Sequence, residues 1–330
     1  MLSNLLFLIK LIRVLKKYNV LILINKNIRY KFLFIFFANL ISIGVSYDRN
    51  HKNKSDGLRI AQALNELGPS FVKLGQLIST RPDIVGNTIA EDLSLLRDNL
   101  PPFSRKTAIE IIEDEFGTSI DSIFSQFSEP IAAASIAQVH FAKIKSSNTE
   151  IDVAVKVLRP EIEKIINQEM ERLEWLTTFM ENFTEFQRLR PNSIIKKAKE
   201  VIKFELDLRY EAAAASELSE NTNMDESFYV PKVYWDKVTQ KILTMEKIIG
   251  VPADKIDELN EKKVNKKQAA ENLIINFLRQ SIRDGYFHAD LHQGNLFLNP
   301  KGKLLAVDFG IMGRLDKKNR SYLAEIIYGF

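Results

Sequence analysis

Three side chains near the end of this 330-residue chain are of the types that phosphate chemistry needs. Asp290 is followed five residues later by Asn295, in the run from His288 to Asn295, and Asp308 opens the tripeptide Asp308-Phe309-Gly310. A carboxylate beside an acceptor hydroxyl or water can orient it and take its proton. An Asn amide oxygen and a second carboxylate supply hard oxygen ligands for a magnesium ion that bridges phosphates. Asp290 is therefore the candidate catalytic residue, and Asn295 and Asp308 are candidate metal ligands. His288 precedes the acid, a position that orients backbone more often than it performs chemistry. His292 receives no role from its spacing.

An Asp-Phe-Gly tripeptide alone carries little meaning; its separation from the acid-x4-Asn element gives it weight. Two short apolar strands, Leu296–Leu298 and Leu304–Val307, flank a Pro-Lys-Gly turn, so the first strand follows Asn295 and the second delivers Asp308. Loop, hairpin and Asp-Phe-Gly in that order make a protein-kinase-like site. Further upstream lies a strand, an alanine-rich loop, a second strand, a turn at Ser146-Ser147-Asn148 and a third strand over Ile151–Leu158. Lys156 stands in Val-Ala-Val-Lys, the setting of a lysine that grips the α- and β-phosphates. The loop formed by Ala132, Ala133, Ala134, Ser135, Ile136 and Ala137 stands where a glycine-rich loop would cover the phosphates. After a hairpin at Val230–Trp235 and Lys241–Glu246, the backbone of Glu246, Lys247 and Ile248 is placed to meet adenine.

Composition limits the alternatives. Cysteine is absent, which excludes disulfides and thiolate metal sites. A net charge of +4, from 46 basic and 42 acidic residues, gives no argument for nucleic acid, and none is expected as a partner. Leu2, Leu5, Leu6, Ile9, Ile12 and Leu15 recur at helical spacing, with Lys10, Arg13 and Lys17 on another face. Such a basic amphipathic helix lies in a lipid interface. The apolar run Phe32–Val45 is shorter than the roughly 20 residues of a membrane span. Residues 1–46 therefore read as a membrane-associating segment on the cytoplasmic face, with core-packing helices of a larger fold as the alternative, and 47–56 as a polar linker.

A helix ending near Leu67 restarts after Gly68-Pro69, and the restarted segment carries Lys73, Leu74, Gly75 and Gln76. Phe71, Leu74 and Ile78 keep helical spacing, Gly75 offers close approach to another backbone, and Lys73 and Gln76 share a face. Periodicity assigns Lys73 no role. The stretch from Leu67 to Ile84, with the motifs above in the same order, resembles the signature of the UbiB family of atypical kinases. The resemblance runs from about residue 58 to the end of the chain. Members support coenzyme Q (ubiquinone) biosynthesis. The resemblance implies ATP and Mg2+ as cofactors, an alanine-rich phosphate loop, and an N-terminal extension that folds over the active site and blocks a protein-substrate groove. It also implies that Lys73 reaches into the nucleotide site, and it makes lipid intermediates or proteins of the ubiquinone pathway the expected partners.

Two helical stretches follow Lys156, over Glu161–Leu189 and Asn192–Leu218. The second contains Glu205, Asp207 and Glu211, resembling the family's Glu-x-Asp element. On one ideal helix Glu205 and Asp207 point about 200° apart, while Asp207 and Glu211 share a face. Glu211 is then the expected partner of Lys156, and Glu205 or Asp207 engages Lys73 or the metal. The expected fold is α+β and kinase-like, two-lobed with a helical N-terminal extension. Its parts are a membrane-associating segment (1–46), a linker and extension (47–117), a small lobe (118–249) and the start of a large lobe (250–330). Only twenty residues follow Gly310, so a shortened large lobe is expected. Two other readings stand beside this one. A small-molecule kinase of the choline or aminoglycoside type shares the His-x-Asp-x4-Asn loop, and a truncated, inactive nucleotide-binding interaction module accounts for the short carboxyl end.

Overall fold

The structure, a computed structural model, describes residues 2–21, 41–42, 44–45, 54–94, 96, 101–146, 149–183, 187 and 190–329. Most of the apolar run 32–45, and the proposed linker as far as residue 53, lie outside the described residues. In chain order the principal helices are α1 (Leu2–Lys17), α2 (Asp56–Leu67), α3 (Pro69–Ser79), α4 (Asn87–Ser94), α5 (Arg105–Phe116), α6 (Ile162–Met180), α7 (Pro191–Glu205), α8 (Leu208–Asn221), α9 (Lys266–Leu278) and α10 (Lys317–Tyr328). The strands are β1 (Gln126–Ala133), β2 (Ala137–Ser146), β3 (Thr149–Leu158), β4 (Phe228–Tyr229), β5 (Ile242–Glu246), β6 (Val251–Pro252), β7 (Tyr286–His288), β8 (Leu296–Leu298), β9 (Leu304–Ala306) and β10 (Met312–Arg314). Together they form a kinase-like α+β fold. The chain divides into two units, one of residues 1–101, 133–137 and 159–203, the other of residues 102–132, 138–158 and 204–330.

In the first unit Gly68 breaks the chain between α2 and α3, and Pro69 opens α3, where its missing N–H costs nothing. A Cβ on Gly75 would come 2.5 Å from Leu96 Cδ1 and 2.6 Å from Leu64 Cδ1. The glycine therefore makes room for two leucine side chains, not for the second backbone that the sequence led us to expect. Helix α1 packs into the unit along one side. It buries Phe7, Ile12 and Val14, with Phe7 stacked on Phe71 of α3 at 6.1 Å, and Lys17 pairs with Glu66 of α2 at 2.5 Å. Its exposed leucines are Leu5 and Leu6. Among the described residues no helix is long and apolar enough to cross a membrane.

In the second unit the alternation of β3 places Val153, Val155 and Val157 on one face, all fully buried, and Lys156 on the other. The valines pack with Ala142, Ile144 and Ile242 against Ala108 and Ile112 of α5. Helix α5 is positioned by its own start signal, Ser104 Oγ accepting the Thr107 N–H at 3.1 Å. The sheet order is β1-β2-β3-β5, with Lys156 opposite Leu243 and Val153 opposite Glu246. A second sheet runs β4-β9-β8-β6 and contains the expected hairpin, with Leu296 opposite Ala306. Strands β7 and β10 pair His288 with Met312, so the segment carrying Asp290, Asn295 and Asp308 leaves and re-enters the fold through one two-stranded clasp.

The helix expected over 192–218 is two helices. Glu205 ends α7, and Asp207 caps α8 with φ −129° and ψ 98°, its side chain accepting the Arg209 N–H. An Asp that can take an orphan amide proton favours starting a helix over continuing one. The angular argument that separated Glu205 from Asp207 on a single helix therefore does not apply. The stretch expected over 161–189 forms a helix over Ile162–Met180.

Buried polar groups tie β2 to the chain before α5. Gln138 pairs with Phe103, accepting its N–H at 2.9 Å and donating to its carbonyl at 3.2 Å. His140 is fully buried and stacked on Phe127 at 4.4 Å. Its Nδ1–H donates to the Ser128 carbonyl at 2.9 Å, and its Nε2 accepts from Gln138 at 2.8 Å. Burial holds the His140 pKa below its ordinary value. The unfolded chain then takes up a proton that the native state refuses, so stability is full above about pH 7 and falls as pH drops through about 6.5. Urea titrations at pH 7.5 and 5.5 should show this loss, at most about 1.4 kcal/mol per pH unit for each such histidine. A His140→Gln variant, less stable at both values, should show a smaller difference between them.

Candidate active site

Lys156 and Glu211 are the centre of the second unit's polar interior. The Lys156 ammonium donates to Glu211 Oε2 at 2.8 Å and Oε1 at 3.0 Å, and the side chains are only 16% and 8% exposed. Glu211 lies in the first turn of α8, so the Asp207 cap fixes where its carboxylate falls. Asp207, expected among the metal ligands, has both oxygens engaged in that capping role. Its Oδ1 accepts from the Arg209 N–H at 3.1 Å and from Nε at 2.9 Å, and its Oδ2 accepts from Nη2 at 2.7 Å. Arg209 holds the Asp207 carboxyl below its usual pKa.

Asp308 Oδ1 stands 3.5 Å from the Lys156 ammonium, with its side chain half exposed. Its φ of +60° is a left-handed conformation uncommon outside glycine, which turns the carboxylate out of the strand direction while Phe309 is buried. Burial alone would lower the Lys156 pKa; the carboxylates of Asp308, Glu211 and Glu205 overturn it and keep the ammonium charged well above its ordinary range. Burial pushes the Glu211 carboxyl up, opposed by Lys156 and by the Phe309 N–H.

Asn295 is buried, and its Nδ2 donates to the Asp290 carbonyl at 3.1 Å and to Asp290 Oδ2 at 3.3 Å. That leaves Oδ1 as the amide's remaining donor of an electron pair. His288 joins the two acid-bearing segments. Its Nδ1 accepts the Asp290 N–H at 3.2 Å, and its Nε2–H donates to the Val307 carbonyl at 3.3 Å, while its ring packs 5.6 Å from Phe309. Burial holds its pKa low. The bonds require the neutral Nε2–H form, and His288 works through backbone.

The segment 246–248 is partly committed to the fold. The Glu246 N–H donates to the Lys232 carbonyl at 2.8 Å and the Lys247 N–H to the Asp152 carbonyl at 3.1 Å. Neither amide is therefore the adenine donor expected from the sequence. The Glu246 carboxylate accepts from Tyr229 Oη at 2.5 Å; this brace is invisible in the order of motifs.

Two expected parts lie in the first unit. Lys73 is half-buried on α3, next to Gln76, whose Nε2 donates to the Leu96 carbonyl at 3.3 Å. The alanine segment turns tightly, the Ala134 N–H donating to the Ala137 carbonyl at 2.8 Å. None of residues 132–137 takes a positive φ, so the turn is open to alanine and does not require glycine. Arg159 clamps it. Its Nε and Nη2 both donate to the Ala134 carbonyl, at 3.0 and 2.8 Å, and its backbone N–H donates to the Ile136 carbonyl at 2.8 Å. Arg159 carries no signature among the motifs, because its partners are backbone carbonyls that any residue supplies. Ser135 Oγ is buried without a hydrogen-bond partner.

A buried lysine–glutamate pair on strand and helix, an acid–asparagine loop and a left-handed Asp-Phe-Gly define a kinase-like site. The family profile described as "ABC1 atypical kinase-like domain" matches residues 95–330, and the chain belongs to that family. "Probable protein kinase UbiB" of Pseudomonas putida is 40% identical over 282 residues, covering 84% of this chain and 52% of the relative. The protein of that name from Pseudomonas fluorescens is 39% identical over 290 residues, covering 86% and 54%. The chain thus spans about half the length of the curated relatives it matches. A Mycobacterium tuberculosis protein solved in complex with erythromycin superposes with a TM-score of 0.55 at 26% identity, over 78% of this chain and 64% of that one.

Removing one member of a buried ion pair strands the other. Glu211→Gln should lower unfolding stability by about 3 kcal/mol, since Asp308 only partly replaces the lost charge. In a Lys156→Met background the same change should cost less than half as much. Equal costs in the two backgrounds would show that the pair is not coupled.

Proposed function

We infer that this chain is an ATP- and magnesium-dependent atypical kinase or ATPase of the UbiB type, serving ubiquinone synthesis at a membrane surface. The observation that carries the reading is Lys156 held between Glu211 and Asp308, in the same unit as the Asp290–Asn295 pair. In this reading Lys156 grips the α- and β-phosphates, and Glu211 holds it in place. Asp290 orients the acceptor hydroxyl or water and takes its proton. Asn295 Oδ1 and the Asp308 carboxylate are the groups that would hold magnesium. Among the described residues no three His, Cys, Asp or Glu side chains gather as a cage. Two oxygen donors fit an ion that keeps several waters and takes phosphate oxygens as its other ligands. When bound, magnesium neutralises charge developing on the phosphates. The carbonyl of Glu246 and the N–H of Ile248 are the groups assigned to adenine.

The assignments of Lys73 and the alanine turn to the nucleotide rest on the resemblance to the family. The undonated Ser135 hydroxyl is of the kind that a phosphate oxygen satisfies. Ubiquinone synthesis is supported by the name that the relatives carry. Membrane attachment is supported by exposed Leu5 and Leu6 on a helix that also exposes Lys10 and Arg13.

Fluorescent-nucleotide binding with and without magnesium tests the reading. Binding should require the metal, and Lys156→Met and Asp308→Asn should each weaken it by roughly tenfold or more, about 1.4 kcal/mol. Asp290→Asn should bind nucleotide and keep only a residual turnover, lowered roughly a hundredfold or more. A wild-type chain without magnesium-dependent binding would overturn the proposal. Glu211→Gln that leaves affinity intact, with Glu205→Gln abolishing it, would reverse the roles given to the two carboxylates.

A further inference from the structure

His292 lies in the Asp290 loop, two residues after the acid, and has no part in the proposed mechanism. His292 is more than half exposed, with its side chain at 59%, and its Nε2 stands 3.7 Å from Asp290 Oδ2. Its other ring nitrogen is committed: Nδ1 accepts the Gly294 N–H at 3.0 Å. An Nδ1 that accepts must be unprotonated, so the neutral ring carries its proton on Nε2, the atom facing Asp290. The ring also depends on a missing side chain. A Cβ at residue 294 would lie 2.8 Å from His292 Cε1 and 3.0 Å from Nδ1, closer than carbon atoms pack. Gly294 thus supplies both the amide that fixes the tautomer and the space in which the ring lies.

Asp290 Oδ2 is accordingly approached by two N–H groups, Asn295 Nδ2 at 3.3 Å and His292 Nε2 at 3.7 Å. The second distance is longer than a hydrogen bond, and such contacts shorten when a site closes on its substrate. Oδ2 is the carboxylate oxygen that Asn295 bonds and His292 faces. We propose that His292 is a positioning residue that, with Asn295, ties down Asp290 Oδ2 so that Oδ1 is the atom that receives the acceptor's proton. The step balances as ordinary phosphoryl transfer. The acceptor oxygen forms its bond to the γ-phosphorus as its proton passes to Oδ1, and the bond from that phosphorus to the bridging oxygen breaks with release of ADP. His292 neither gains nor loses a proton. This inference rests on the proposed function for its chemistry and on the loop geometry for its contact, and the two can fail separately.

His292→Asn is the informative substitution. An Asn side chain can still accept the Gly294 N–H, as Asx turns do, but is too short to reach Asp290. With magnesium and ATP, and water as acceptor, this variant should lose roughly tenfold in kcat with KM for ATP changed less than about twofold. In an Asp290→Asn background the same change should have no further effect on kcat. An equal loss in both backgrounds, or a loss confined to KM, would overturn the proposal. Gly294→Ala, which retains His292 and Asp290 but pushes the ring aside, should reproduce the kcat loss.

A readout independent of turnover uses imidazole nitrogen NMR on the histidine-labelled 330-residue chain, where four histidines keep the spectrum assignable. His292 should show the Nε2–H tautomer, and Asp290→Asn should shift its Nε2 resonance. An Nδ1–H tautomer, or a resonance indifferent to Asp290→Asn, would refute the contact. A chain that binds no nucleotide would refute the proposed function while these spectra still decide the position of His292.

Discussion

Two opposite charges withdrawn from water are stable only in each other's company, and the second unit is arranged to keep Lys156 and Glu211 together. Moving either ion into a protein interior costs several kcal/mol unless its partner is close and well oriented. The lysine comes from the carboxyl-terminal part of β3, with the buried valines on either side fixing which way it points. The glutamate comes from the first turn of a separate helix, whose start is set by Asp207. Strand register and helix cap must both be right before the pair can form. Once formed, it leaves the ammonium within 3.5 Å of Asp308, so the geometry of the Asp-Phe-Gly segment inherits the precision of the pair.

The acid-bearing segment has its own support, made from side-chain to backbone bonds. His288 spans from the Asp290 amide to the Val307 carbonyl, and Asn295 returns to the Asp290 carbonyl and carboxylate. The β7–β10 clasp closes the ends. Asp290 and Asn295 are therefore joined directly, and His288 ties the Asp290 amide to the carbonyl that precedes Asp308. The left-handed backbone at Asp308 costs of order 1–3 kcal/mol for such a residue, and it is sustained by the burial of Phe309 beside it.

Much of this was legible in the sequence because its signals are local. Apolar alternation gave β3, the Pro-Lys-Gly turn gave the β8–β9 hairpin, and Ser104 gave the start of α5. The order of short motifs was enough to place the chain in its family. The misreadings arise where one residue type serves two purposes. Asp207 looks like a metal ligand because carboxylates bind metals, yet its neighbour Arg209 and the amide it caps absorb both oxygens. Helical periodicity continues through Ile202, Leu206 and Ala212, all buried, so nothing in the apolar pattern marks the break at Leu206. In α1 the apolar stripe leaves Leu5 and Leu6 exposed, while Phe7, outside that stripe, is drawn inward by a ring contact with Phe71, 64 positions away in sequence. Arg159 and Tyr229 were invisible for a related reason: what they hold is set by tertiary placement.

The alanine turn between β1 and β2 has a thermodynamic side. Glycines in the same positions would let the unfolded chain and the folded loop wander through conformations that alanine cannot reach. Alanine narrows both ensembles, and the two guanidinium bonds from Arg159 narrow the folded one further. The conformational entropy of ordering this segment is therefore lost when the protein folds. Any anion that meets the loop encounters a shape already chosen, with little left to organise on arrival.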